Sequence, residues 1–217
     1  MRLLELFSGT GSIGKAFREL DWQVILLDID PKSGASITAD FLTWDYTSYG
    51  EGYFDAVWAS PCCTMYSRAR TAARTPRDLD WADSLVRKTL EIIHYFKPKV
   101  WGFENPQTGL LKDREVVKGI PFKDVSYCRY GYPYRKHTRI WTESAWEPRS
   151  VCCKASPCER MVDGKHPMSA QRGPSKHKGA QDKCSLAQLH SMPPQLCKEI
   201  AQAWTAEVLR PIVREQS

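Results

Sequence analysis

The amino-terminal stretch combines a short apolar run, a glycine-containing turn and a helical pattern. Residues 3–7 have the length of a buried strand, which stops at Ser8-Gly9-Thr10-Gly11-Ser12. Apolar residues then recur at helical spacing from Ile13 to Leu20. Gly9 and Gly11 permit a tight turn and a close approach of backbone to a ligand, and the helix start offers free N–H groups. This order predicts an α/β fold with a ligand at the turn.

Acidic residues follow the next two apolar segments. The strand predicted at 24–27 ends in Asp28-Ile29-Asp30, where the Asp28 carboxylate can accept hydrogen bonds from a ribose. The alternative for Asp28 is an acid that only caps the following helix. A third β/α unit contains Asp40-Phe41-Leu42 and Trp44-Asp45, and Asp40 could meet an adenine amino group at the same sheet edge.

The stretch Phe54–Ser67 contains a strand that stops at two adjacent cysteines. Its apolar run ends at Ser60-Pro61, and Cys62 and Cys63 follow at once. The carboxyl edge of an open α/β sheet is where ligands and reactive groups gather. The alternative is a pair of buried thiols that pack as small apolar groups.

A polar, arginine-rich segment at 64–80 follows these cysteines, and a helix is predicted from Leu79 to Phe96. The chain carries a net charge of +6, and part of this excess lies in the segment at Arg68 and Arg70. Clustered arginines are typical of phosphate binding, although a solvated basic face is the alternative.

A second carboxylate lies at the end of the strand predicted at 100–103. Glu104 precedes Asn105-Pro106 in an apolar setting, which would raise the pKa of its carboxyl group and keep it protonated near neutral pH. An ordinary strand-end glutamate is the alternative. Tyr127–Tyr134 and Thr138–Thr142 are predicted to pair as a hairpin around the basic turn Arg135-Lys136-His137.

The sequence has no run of about 18 apolar residues, and its start, MRLLELFSG, has no signal-peptide cleavage pattern, which indicates a soluble, intracellular protein. Eight cysteines in such a chain of 217 residues favour thiols, a nucleophile or metal ligands over a disulfide framework. Residues 142–185 are too polar to build a core of their own. A structural zinc ion there would have Cys153, Cys158, His166 and Cys184 as ligands, and free thiols are the alternative.

Five motifs follow one another along the chain in the order LELFSGTGS, LLDID, SPCC, FENP and RKHTRIW. With them the chain resembles the cytosine-carbon-5 DNA methyltransferases, most closely the small forms of bacteriophages and algal viruses. The resemblance spans 1–141 and returns at 186–209. It implies a doubly wound, Rossmann-like, S-adenosylmethionine-dependent methyltransferase fold of the α/β class. The catalytic domain would comprise 1–141 and 186–217, with a small loop-rich target-recognition region at 142–185.

The resemblance also implies roles for particular residues. In the family, the nucleophilic cysteine is followed four residues later by a serine, and counting back from Ser67 selects Cys63 as the nucleophile. The family's cysteine also follows a proline, and an alignment on Pro61-Cys62 selects Cys62 instead. Glu104 would protonate the ring nitrogen N3, and Arg139 would hold the ring oxygen O2. The residues implied to bind S-adenosylmethionine are Phe7, Gly9, Gly11, Asp28, Ile29, Asp40 and Phe41.

The implied partner is DNA that contains a target cytosine, and no membrane is involved. Arg68, Arg70, Arg135 and His137 are expected to contact phosphates or the flipped nucleotide, whereas Gln171 and Arg172 would read bases. Two alternatives stay open: a catalytically silent DNA-binding or regulatory homologue, and a transfer-RNA cytosine methyltransferase. A viral member would act in the cytoplasm or nucleus of its host cell. The sequence defines no oligomeric state.

Overall fold

A computed structural model describes residues 1–152, 154–166, 168 and 189–210. Seven strands form one sheet. No helix in these ranges has the length and apolar character that a membrane span requires. The elements are β1 (Arg2–Leu6), α1 (Ser12–Arg18), β2 (Gln23–Asp28), β3 (Ile37–Thr38), β4 (Ala56–Ala59), α2 (Leu79–Phe96), β5 (Val100–Pro106), β6 (Phe122–Ser126), β7 (His137–Thr142) and α3 (Pro194–Leu209).

The strand order in the sheet is β3-β2-β1-β4-β5-β7-β6. The first five strands are parallel, and β7 runs antiparallel to both of its neighbours. The chain builds outward from β1 to β3 and then returns to place β4 on the other side of β1. The carboxyl ends of β1 and β4 therefore flank the point where the strand order reverses, which is where open α/β sheets bind ligands.

Both faces of the sheet are covered, as the doubly wound α/β prediction requires. On one face α1 and α3 bury a core that includes Phe17, Ile200 and Trp204. On the other face α2 buries a second core that includes Val86 and Phe96. Strands such as β4 are consequently apolar throughout, because side chains on each face meet a helix layer.

The helix predicted at Leu79–Phe96 is found with the same bounds, and the Asp78 side chain caps it by accepting a hydrogen bond from the Trp81 N–H. The hairpin prediction was wrong in its first strand. β6 is Phe122–Ser126, whereas Tyr127–Tyr130 forms a short 3-10 helix. That turn ends at Gly131 with a φ of 91°, a left-handed conformation that no strand accommodates.

Candidate active site

The glycine turn after β1 has an unusual backbone. Phe7, Gly9 and Gly11 have φ values of 55°, 49° and 64°. A left-handed φ is expected for glycine but is strained for phenylalanine, and such strain concentrates at functional sites. The Gly9 N–H donates to Asp28 Oδ2 at 2.7 Å, and the Asp30 N–H donates to Asp28 Oδ1 at 2.9 Å. Asp28 therefore ties the turn to the end of β2.

A cleft of about 420 Å³, here called the glycine-turn cleft, opens between the ends of β1 and β4. Phe7 and Gly9 line it, and Asp28 adjoins it through its bond to Gly9. The Phe41 ring packs against the Phe7 ring, with the two centroids 4.3 Å apart. Ile29 is 69% exposed beside Asp28, although an apolar side chain at a strand end is usually covered.

The remaining predicted cofactor residues are Gly11 and Asp40. Gly11 caps the start of α1, and the Asp40 side chain accepts a hydrogen bond from the Leu42 N–H at 2.9 Å.

Glu5 also lines the glycine-turn cleft, and the sequence reasoning missed it. It is buried within β1, and its Oε2 accepts a hydrogen bond from the Gly14 N–H in α1 at 2.7 Å. Burial raises the pKa of Glu5 to about 7, against the lowering effect of that hydrogen bond. A charged residue inside the apolar run 3–7 was the signal that could have identified it.

The two cysteines occupy different positions at the end of β4. Cys63 is exposed where the glycine-turn cleft meets a second space of about 640 Å³, here called the basic cleft, and it lines both. Cys62 is half-buried, lines only the glycine-turn cleft, and its Sγ lies 3.3 Å from Thr64 Oγ1. The Asn105 side chain donates to the Pro61 carbonyl at 2.9 Å. This bond fixes the cysteine loop to the end of β5.

Glu104 and Lys136 face Cys63 across the glycine-turn cleft. Burial raises the pKa of the Glu104 carboxyl, and no described residue donates a hydrogen bond to its buried Oε2. Although the residue is exposed at the surface, protein atoms around the Cys63 sulfur shield it from water, and this desolvation, followed by the nearby Glu104 carboxylate, raises the pKa of Cys63 to about 11, whereas the Lys136 charge lowers it. In the free protein at neutral pH, the Cys63 thiol is therefore protonated.

Arg139 does not lie with these groups. In the β5–β7 register Ile140 is opposite Glu104 and Arg139 is opposite Asn105, so Arg139 is on the sheet face away from Glu104. Its guanidinium makes two hydrogen bonds of 2.8 Å with Asp124 and stacks 3.5 Å from the Phe122 ring centroid. The structure therefore does not bring Arg139 together with Cys63 and Glu104.

Lys136 is the cation that faces the site instead. Its Nζ donates to the Leu189 carbonyl at 3.2 Å and lies 4.8 Å from the Tyr127 ring centroid. The residue lines both clefts, as Cys63 does. The sequence reasoning passed over Lys136, because it lies one position away from the residues that the family motif selects.

The predicted nucleic-acid contacts divide into two groups. Arg68 and Arg135 are exposed and line the basic cleft together with His137, whose Nδ1 lies 2.9 Å from Ser126 Oγ. Arg70 instead binds its own loop, donating to the carbonyls of Thr75 and Pro76. Gln171 and Arg172 lie outside the described residues.

The predicted metal ligands are only partly within the described residues. Cys158 and His166 lie together, but their neighbours are Cys128 and Cys152. Cys153 and Cys184 lie outside the described ranges, so the ligand set that the structure brings together differs from the predicted one.

Comparisons with known proteins give the family and the fold of the chain. The chain is 36% identical over 174 residues to a protein of Frog virus 3 (isolate Goorha) named "Probable DNA (cytosine-5)-methyltransferase", and the match covers 74% of this chain and 79% of the relative. The fold resembles the Entamoeba histolytica methyltransferase EhMeth, with a TM-score of 0.61, 12% identity and coverage of 97% and 99% of the two chains. A candidate DNA modification methyltransferase encoded within an E. coli prophage matches with a TM-score of 0.50 and 14% identity, over 70% of this chain and 51% of that one. No protein-family model matches the sequence.

Proposed function

Because the chain belongs to the DNA cytosine-5 methyltransferase family, we propose that it transfers a methyl group from S-adenosylmethionine to carbon 5 of cytosine in DNA. The observation that carries this proposal is the position of Cys63 where the two clefts meet, facing Glu104 and Lys136. One cleft would hold the methyl donor and the other the nucleic acid. The reacting base would lie between them.

The ends of β1 and β2 fit S-adenosylmethionine, which supplies an electrophilic methyl group when bound. Gly9 leaves open space beside the turn, since a Cβ at this position would meet no atom within 4 Å. The Asp28 carboxylate, which holds the Gly9 N–H, would accept hydrogen bonds from a ribose, and exposed Ile29 would offer an apolar surface to the adenine. The full set proposed for the cofactor is Phe7, Gly9, Gly11, Asp28, Ile29, Asp40 and Phe41.

Carbon 5 of cytosine is a poor nucleophile, so the ring must first be activated. The Cys63 thiolate would add to carbon 6, forming a carbon–sulfur bond and moving an electron pair into the ring. Protonated Glu104 would donate to N3, which stabilises the charge that develops there. Lys136 would hold the O2 oxygen, the role that the resemblance assigned to Arg139.

Proton movements complete the cycle. The Cys63 proton must pass to solvent before addition, and the adjacent Lys136 ammonium favours the thiolate because it lowers the pKa of the thiol. After carbon 5 has gained the methyl group, a base takes the proton from carbon 5 while the bond between carbon 6 and the Cys63 sulfur breaks, and this elimination re-forms the C5=C6 double bond. Cys63 leaves as a thiolate that regains a proton from solvent, and the N3 proton returns to Glu104.

The basic cleft would bind the nucleic acid. Arg68 and Arg135 are exposed for phosphate contacts, and His137 lines the space beside them. Cytosine must leave the base stack to reach Cys63, and extrusion costs about a few kcal/mol. Arg70 would act indirectly by holding the loop, while Gln171 and Arg172 are proposed to read bases.

Methyl transfer from labelled S-adenosylmethionine tests this function directly. The chain is incubated with duplex DNA or with transfer RNA, and the digested nucleosides are separated. We expect labelled 5-methyldeoxycytidine from DNA and none from a Cys63→Ala variant. If label appeared only in 5-methylcytidine from transfer RNA, the substrate would be transfer RNA and not DNA. Cofactor binding without labelling of either nucleic acid would indicate a silent homologue.

A further inference from the structure

Three cysteines and one histidine converge outside the proposed active site. Cys128 lies in the 3-10 turn after β6, and Cys152, Cys158 and His166 come from the loop segment that follows β7. Their sulfur and ring-nitrogen atoms all lie within 4.8 Å of one another. Cys158 Sγ is 3.2 Å and Cys152 Sγ is 3.9 Å from His166 Nε2. Four soft ligands thus surround one point.

These separations are close to those of a tetrahedral metal centre. Zinc binds thiolate sulfur at about 2.3 Å and imidazole nitrogen at about 2.0 Å, which places neighbouring ligand atoms roughly 3.5–3.8 Å apart. We propose that Cys128, Cys152, Cys158 and His166 bind one structural zinc ion. A site with four protein ligands has no open position for water or substrate, so it would stabilise the fold and take no part in methyl transfer.

The surroundings of the four residues support a metal rather than ordinary packing. The three cysteines are buried, but within the described part of the chain the cluster that they form contains no aliphatic side chain, and among those residues only Met161 packs against it. Cys197, in contrast, is buried within the large core between the sheet and α3. Apolar packing therefore accounts for Cys197, whereas the described segment around Cys152 and Cys158 has no such core. A bound zinc ion would supply the missing free energy of folding.

The proposed site also connects with the basic cleft. The Cys152 N–H donates to Ser126 Oγ at 2.9 Å, and the same oxygen lies 2.9 Å from His137 Nδ1. Arg129, next to Cys128, donates to the carbonyl and hydroxyl of Ser156 at 2.7 Å. Metal binding would therefore fix the loop against the ends of β6 and β7, where His137 lines the basic cleft. The zinc would order one wall of the proposed DNA surface.

The direct test is metal analysis of the full chain, purified without a chelator or a metal-affinity tag. We expect about one zinc per chain, released when a mercurial reagent blocks the thiols and detected with a zinc-sensitive dye. Cobalt substitution should give the visible bands of tetrahedral thiolate coordination. A folded, cofactor-binding protein that contains no zinc and takes up neither added zinc nor cobalt would overturn the proposal.

Variants identify the ligands. Cys128→Ser, Cys158→Ser and His166→Ala should lose the metal, whereas His166→Cys should keep it because a fourth thiolate replaces the imidazole. Cys197→Ala is the matched control for loss of a buried thiol and should retain the full zinc content. Cys153→Ser should also retain zinc. If Cys153→Ser lost zinc and Cys152→Ser kept it, Cys153 and not Cys152 would be the ligand. Loss of zinc in Cys197→Ala equal to that in the ligand variants would also contradict the ligand set.

Discussion

The glycine-turn cleft and the basic cleft meet at Cys63 but are built from different groups. In the glycine-turn cleft, left-handed backbone at Phe7 and Gly9 and a hydrogen bond from Gly9 to Asp28 set the shape. In the basic cleft, the long side chains of Arg68 and Lys136 extend from loops. A backbone-built site forms as the sheet folds. A site built from side chains depends on which residue occupies each position and on its partners.

The largest expected effect is that of replacing Glu104, the proposed proton donor to the cytosine ring. Glu104→Gln keeps the shape of the side chain but removes the proton that N3 would receive, so kcat should fall by about 10²- to 10⁴-fold. The affinity for S-adenosylmethionine should stay near the wild-type value, because the cofactor is proposed to lie at the ends of β1 and β2. Single-turnover methylation and calorimetry measure the two quantities. A variant with wild-type kcat would remove Glu104 from the mechanism.

The second prediction separates two cations: Lys136, which lines both clefts, and Arg139, which lies on the face of β7 away from Glu104. Lys136→Met should lower kcat by about 10²-fold, since one preorganised donor to the developing charge is lost. Arg139→Met should leave kcat near the wild-type value and lower the melting temperature instead, because Arg139 is paired with half-buried Asp124. Steady-state kinetics and thermal unfolding of both variants provide the test. If Arg139→Met lowered kcat and Lys136→Met did not, Arg139 would be the active-site cation, as the family resemblance implies.

The third prediction concerns the glycine-turn cleft. Asp28→Ala removes the acceptor for Gly9 and for the ribose, and should weaken S-adenosylmethionine binding by about 10-fold or more. Asp30→Ala is the matched control for loss of a carboxylate at the same strand end, because Asp30 accepts from the Lys32 N–H and is outside the proposed cofactor set, and it should keep the wild-type affinity. Isothermal titration calorimetry measures both affinities. Equal affinity in Asp28→Ala and wild type would contradict the proposed pocket.

The smallest effect on activity is expected at Glu5, which should instead set a pH dependence of stability. The Glu5 pKa rises from 4.5 to about 7 on folding, so the native state holds its proton more tightly than the unfolded state. The free energy of unfolding should therefore fall by about 3 kcal/mol as pH rises from about 4.5 to 7. Urea unfolding at the two ends of this range should show that fall in wild type. Glu5→Gln should lack this contribution, and an identical pH dependence would contradict the assignment.

The sequence predicts the sheet and the strand-end residues because both follow from local patterns. Apolar runs that stop at glycine, at proline or at an acidic residue placed Gly9, Asp28, Cys63 and Glu104 at one edge of the sheet, and the structure has them at the ends of β1, β2, β4 and β5. The pairing of Arg139 with Asp124 could not be foreseen, because it depends on the register of β6 against β7. That strand was predicted at Tyr127–Tyr134, a few residues from where it lies.

The cysteine cluster shows the same limit. Cys158 and His166 are close in sequence, so spacing alone could suggest them as ligands. Cys128 lies in a turn before β7, and only the folded sheet brings it beside Cys152. Patterns within one segment therefore predicted part of this set, whereas contacts between distant segments required the structure.

The central claim is that Cys63, where the two clefts meet, is the nucleophile and that Cys62 is not. Duplex DNA containing 5-fluorocytosine traps the covalent adduct, because fluorine at carbon 5 cannot leave as a proton does. With S-adenosylmethionine present, wild type and Cys62→Ala should form a denaturation-resistant complex with this DNA, and Cys63→Ala should form none. Denaturing electrophoresis and mass spectrometry of the linked peptide identify the thiol. An adduct in Cys63→Ala that is absent from Cys62→Ala would contradict the account.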